Sequence, residues 1–146
     1  MSASDSSRVV EGLTTVPSRF SPKETMDRLE SEIHAKGLTI FAQIDHSAGA
    51  KEVGLILRRT DLIIFGSARG GTPLMQSVQT VGIDLPLKAL VWEDGAGKAW
   101  ISYNESGWIA HRHGVANAEP FVKNMADLLR AISTTAAGLQ QGRDTT

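Results

Sequence analysis

Asp45 and His46 stand side by side after an apolar segment, and this pairing is the first chemistry the sequence offers. A carboxylate beside an imidazole can orient the ring, raise its basicity and make it a general base. A hydrolase- or isomerase-type enzyme would use His46 as base and Asp45 to orient it. Neighbouring strand residues point to opposite faces, however, so the two side chains need not meet. The competing reading has Asp45 capping the following turn and His46 as an ordinary polar residue.

Two other stretches carry polar chemistry. In Gly66 to Thr72, GSARGGT, glycines lead from an apolar run toward a helix start at Thr72-Pro73. Backbone N–H groups at such a start accept a carboxylate or phosphate. Arg69 can add a bidentate contact. Arg69, Gly70, Gly71 and Thr72, with Tyr103 and Asn104 at a later strand end, form the expected binding set for a small anionic ligand. A tight connection without a ligand is the alternative. His111-Arg112-His113 would place two imidazoles on one face of an extended segment, a spacing that suits a metal. A third ligand would have to come from His46, Asp45 or Glu93. Nothing in the sequence fixes their proximity, so no metal or cofactor is expected, with His46, His111 and His113 as weak metal candidates. His34 belongs near a helix end, where a cation is mildly favoured.

Several chemistries have no support. The glycine turn lacks the P-loop lysine, and no G-x-G-x-x-G follows a strand. No G-x-S-x-G elbow occurs. The absence of cysteine removes thiol nucleophiles, disulfides and thiolate metal sites. The 15 basic and 16 acidic residues give a net charge of −1 with no basic stripe, which argues against nucleic acid as partner. No apolar run approaches the ~20 residues of a membrane helix. The first residues lack a signal-peptide layout, so no membrane partner and a cytoplasmic location are expected.

The elements that must position these residues follow from pattern. The length of 146 residues favours one domain. It should run from residue 9 to 137, between disordered tails at 1–8 and 138–146. Val9 to Val16 reads as a first strand. Ser21-Pro22-Lys23-Glu24 is a helix start, with Met26, Leu29 and Ile33 as its apolar stripe and Gly37 as its stop. Thr39 to Ile44 reads as a strand, followed by an exit through a short helix. Leu55 to Leu57 is a candidate short strand, and Leu62 to Phe65 a strand buried on both faces. Thr72 and Pro73 open a second helix, with Leu74, Met75, Val78 and Val81 on its buried side and Gly82 and Pro86 as its stop. Leu87 to Trp92 and Lys98 to Tyr103 form a hairpin around Glu93 to Gly97. Asn104 to Gly114 reads as irregular. Glu119-Pro120 opens a last helix, with Asn117 as a possible cap. A hairpin leaves no room for a crossover helix. The expectation is an α+β fold: a largely antiparallel sheet of five or six strands, with two main helices and a shorter third packed on it.

Laid out this way, the chain resembles the DUF302 family, small bacterial and archaeal proteins without an established activity. The marks are Ile44-Asp45-His46, Leu62 to Gly66, Gly71 to Met75, Asp84 to Lys88, Val91 to Asp94 and Ser102 to Asn104, in that order. They extend over about Val16 to Leu129. The resemblance implies a compact α+β domain with an antiparallel sheet and a tendency to homodimerise. Where Asn-Pro often follows Phe-Gly in that family, this chain has Ser67-Ala68. A role that needs the asparagine is therefore not carried over. The leading expectation is a small-ligand-binding homodimer with a polar site at the strand ends. The alternatives are the His46 enzyme and a structural module whose function is its dimer.

Overall fold

The computed structural model describes residues 9–115 and 119–139. The expected tail at 1–8, most of the expected tail at 138–146 and the cap at Asn117 lie outside them. Five strands form one antiparallel sheet in the order β1-β5-β4-β3-β2. They are β1 (Leu13–Pro17), β2 (Thr39–Asp45), β3 (Thr60–Gly66), β4 (Leu87–Glu93) and β5 (Ala99–Asn104). The fold is the expected α+β arrangement, with β4 as the central strand.

Local signals explain most of the elements. Helix α1 (Pro22–Ala35) starts where the sequence places it: Ser21 Oγ accepts the Glu24 N–H, and proline occupies the first turn. Its Met26, Leu29 and Ile33 are buried. The long helix α5 (Glu119–Ala137) packs beside α1, and the two cover one face of the sheet. Between them and the sheet lies the main core, built around Phe65, Ile63, Val91, Ile101, Leu129 and Ile132. Alternation sends Ile63 and Phe65 of β3, Ala89 and Val91 of β4, and Ile101 and Tyr103 of β5 into that core. The β4–β5 hairpin is fixed by Asp94, whose Oδ1 accepts the Ala96 and Lys98 N–H groups and whose Oδ2 accepts Trp100 Nε1–H. Gly138 takes a left-handed conformation after α5, and Leu139 folds back onto the core.

Four expectations about local structure are revised. Helix α3 (Ala68–Ser77) begins four residues before Thr72. Ser67 is its cap, accepting the Gly70 N–H at 3.1 Å, so Gly70 and Gly71 are helical and Pro73 lies inside the helix. A short 3-10 turn (Gln79–Ile83) continues it, where a single helix running to Gly82 was expected. Residues Ser106–His113, expected to be irregular, form helix α4. Leu55 to Leu57 form no strand: the outer edge of β3 is already paired by β2, and the three residues stay exposed. The exit after β2 is helical as expected, as α2 (His46–Glu52).

The ladder between β2 and β3 has one irregularity. Along β2, Ile40 pairs with Phe65 and Ala42 with Ile64, so Phe41 is an extra residue. The bulge keeps Ile40 on the helix-covered face and Ile44 on the other face.

Candidate functional site

The residues singled out in the sequence divide among three places. The first is a cavity of about 290 Å³ at the end of the sheet where β3 runs into α3. Gly66, Ser67, Gly70, Gly71 and Thr72 form one wall. Leu85, Pro86 and Leu87, leading into β4, form the floor, and Met125 and Leu128 of α5 close the far side. Leu38 and the bulged Phe41 bring in the start of β2. The lining is overwhelmingly apolar, and its polar groups gather where α3 begins. Its size lies at the small end of the ~300–1,000 Å³ typical of small-molecule pockets. Gly70, Gly71 and Thr72 all line it. Arg69 is exposed and does not line the cavity.

The glycines are informative here. Neither Gly70 nor Gly71 has the positive φ that would require glycine. A β-carbon on Gly71 would meet Leu85 Cδ1 at 3.5 Å and Met75 Cε at 3.7 Å, and one on Gly70 would meet Ser67 Oγ at 3.6 Å. These are ordinary contacts, so alanine would fit at both positions. Glycine within a helix costs about 0.5–1 kcal/mol relative to alanine. Two glycines therefore leave the cavity wall bare where alanine would fit.

The second place is the sheet face that α1 and α5 leave open. There Leu13, Thr15, Leu62, Lys88, Leu90, Trp92, Ser102 and Asn104 line a groove of about 350 Å³. Asn104 lies in it, away from the glycine wall. Tyr103 borders it but is itself a buried member of the core, 9% exposed.

The third place is the opposite end of β2. Thr39 pairs with Gly66 and Asp45 with Asp61, so Asp45 and His46 sit at least six residues along the strand from the glycine wall. That is about 20 Å at ~3.3 Å per residue. Asp45 does not orient His46. Its Oδ1 accepts the Ala48 N–H at 2.9 Å and the Ser47 hydroxyl at 2.7 Å, which caps α2. The Ser47 hydroxyl, followed by the Ala48 N–H, holds the Asp45 carboxyl below its usual range. His46 is exposed, and no hydrogen bond joins it to Asp45. Nearby, Arg59 is ion-paired with the buried Asp61 at 2.9 Å.

The histidines expected as metal candidates are also dispersed. His111 and His113 lie two apart on the helix α4, where such neighbours do not share a face. His111 is exposed. His113 is turned inward: Nε2 lies 2.6 Å from Asp84 Oδ2 and Nδ1 lies 3.1 Å from Thr80 Oγ1. Arg112 Nη1 reaches both Asp84 oxygens at 2.9 Å. This cluster ties α4 to the 3-10 turn. Among the described residues, no three His, Cys, Asp or Glu side chains gather as a metal site. The cluster has no mark in the linear chain because α4 starts without a side-chain cap, and alternation along β4 does not reveal which face of the sheet stays open.

The architecture defines a two-layer α+β domain with an apolar cavity at one sheet end. The chain belongs to the DUF302 family: residues 14–132 match the family model described as "Domain of unknown function DUF302". A crystal structure of an uncharacterized conserved DUF302 protein from Bacillus stearothermophilus has the same fold. Its TM-score is 0.79 at 17% identity, over 88% of this chain and 99% of that one. Proteins from Brucella suis and Brucella abortus, both named fluoride-specific ion channel FluC 1, are 44% identical over 128 residues. That is 87% of this chain but 50% and 47% of theirs, so the chain spans about half the length of these relatives.

Proposed function

We propose that the domain binds a small, largely apolar ligand in the cavity beside α3, and that it does so as a homodimer. The observation that carries this reading is the pair of helical glycines on the cavity wall, placed where no backbone constraint asks for them. The ligand would be a compact molecule whose apolar body contacts Met75, Leu85 and Leu128. Its polar or anionic end would meet Ser67, Thr72 and the start of α3. Among the described residues, the cavity is lined by no carboxylate, imidazole, amine or phenol suited to acid–base work, so the reading is of binding rather than catalysis. A ligand bound there raises the unfolding temperature, and the shift grows with ligand concentration. The test is a thermal-shift screen of small metabolites on the wild type and on Gly71→Leu, which fills the cavity from its wall. Hits lost in the variant support the reading. A screen in which no hit is lost in the variant would overturn it.

The dimer part rests on the β2 side of the molecule. Phe41, Ile44, Val53, Leu55, Ile56 and Leu57 are all large, apolar and exposed, with Ile56 fully so. They lie on or after β2, an edge strand with no second neighbouring strand among the described residues. Such patches favour association. Light scattering should give a dimeric mass for the wild type and a monomeric mass for Ile56→Asp.

A second reading comes from the named relatives. The 44% identity with proteins called fluoride-specific ion channels supports a role for this domain alongside fluoride transport. No helix among the described residues is long and apolar enough to cross a membrane. On this reading the domain would serve a channel rather than form its helical pore. Deleting the gene should then sensitise cells to fluoride. Unchanged tolerance would speak against it.

A further inference from the structure

The open face of the sheet carries a charge that no other described residue answers. Lys88 lies on β4, the central strand, on the face away from α1 and α5. Its neighbour on β3 is Ile64, and Leu90 follows it on the same face. Lysine is a poor choice for such a position. The other polar groups of the groove are mutually satisfied. Trp92 Nε1–H donates to Ser102 Oγ at 2.9 Å, and Ser102 Oγ lies 2.7 Å from Thr15 Oγ1. Lys88 and the Asn104 side chain have no hydrogen-bond or ion-pair partner among the described residues. The ladder brings them close: Ala89 pairs with Tyr103, and Lys88 and Asn104 flank that pair on the open face. Beside them the groove is apolar, with Leu62, Leu90 and the Trp92 ring, which stacks on Trp100 at 6.0 Å.

We infer that this groove is a second binding site, for a small monoanion with a flat apolar body, an aromatic monocarboxylate being the type. The carboxylate sits on the Lys88 ammonium and accepts from the Asn104 amide, a charge-assisted pairing. The body lies over Leu62, Leu90 and Trp92. The groove's ≈ 350 Å³ suits such a molecule. The site is independent of the cavity beside α3, which is lined by different residues.

The test titrates the full chain with benzoate and with its neutral counterpart, benzamide, following ¹H–¹⁵N NMR shifts of the Trp92 indole and the β4 and β5 amides. Benzoate is expected to move these signals and to bind at least tenfold more tightly than benzamide. Lys88→Met should weaken benzoate at least tenfold, while Lys88→Arg keeps it within about threefold. Gly71→Leu, which fills the other cavity, should leave the response unchanged. Equal binding of benzoate and benzamide, an undiminished benzoate response in Lys88→Met, or no benzoate shift in the wild type would each overturn the inference. So would a change from dimer to monomer in Lys88→Glu with no benzoate response in either form, because the face would then belong to a second copy of the chain.

Discussion

Replacing Gly70 and Gly71 with alanine tests the description of α3 and of its cavity together. Both residues lie in the first turn and a half of a helix that starts at Ala68. Their nearest prospective contacts, 3.5 Å and 3.6 Å, are ordinary van der Waals distances, so no steric penalty offsets the gain. Each substitution removes the excess backbone freedom of glycine from the unfolded chain, worth about 0.4–1 kcal/mol. The double variant should therefore be more stable by about 1–2 kcal/mol. For a chain of 146 residues that corresponds to a rise of roughly 3–7 °C in Tm. Differential scanning calorimetry reads the Tm, and urea unfolding reads the free energy. A cavity ligand found by the screen should bind Gly71→Ala more weakly, since the new methyl group takes space beside Leu85 and Met75. Gain of stability with loss of ligand is the expected signature. If both single variants lose stability, the segment is not the helix described. If they gain stability and ligand binding is unaffected, the bare wall has another cause.

The geometry leads to three further outcomes. Asp94 carries a carboxyl held below its ordinary value of 3.8, first by the Trp100 indole N–H and then by the Lys98 backbone N–H. Because the folded value is the lower one, its stabilisation is complete above about pH 3.8 and is lost as pH falls through the folded value. Asp94→Asn should therefore flatten the acid limb of the stability curve, measured by tryptophan emission, and an unchanged limb would refute the assignment. Gly12 has φ +77°, and an added β-carbon would fall 2.2 Å from Trp108 Cγ. Gly12→Ala should cost roughly 2–4 kcal/mol and displace the indole, seen as a shift in emission; wild-type stability would contradict the packing. His113→Ala removes the 2.6 Å bond to Asp84 and should cost about 1–3 kcal/mol. Amide exchange should speed up in α4 before it does in the sheet.

Much of the fold is open to a reader of the sequence because its signals are local. Ser21 and Pro22 announce α1 within four residues, and the Asp94 to Gly97 turn announces the hairpin. Helix α4 is hidden because its cap position, Glu105, makes no side-chain capping bond. Helix α3 is misplaced for an opposite reason: Thr72-Pro73 mimics a helix start inside a helix that Ser67 has already begun. The sites are less visible. The cavity draws on residues from Leu38 to Leu128, and only its glycine wall has a signature in the linear chain. Asp45 and His46 are adjacent in sequence, yet the α2 cap takes the carboxylate, so adjacency misleads.

The bulge at Phe41 bears on how such a cavity can come and go in evolution. Phe41 is surplus to the ladder: removing it would let Ile40 and Ala42 meet consecutive partners on β3 and close the irregularity. Removing one codon would thus take away part of the cavity wall, 54% exposed and outside the core, while leaving the sheet intact. Relatives that share this scaffold can differ in this part of the wall by an insertion of one residue, with the ladder beneath it unchanged.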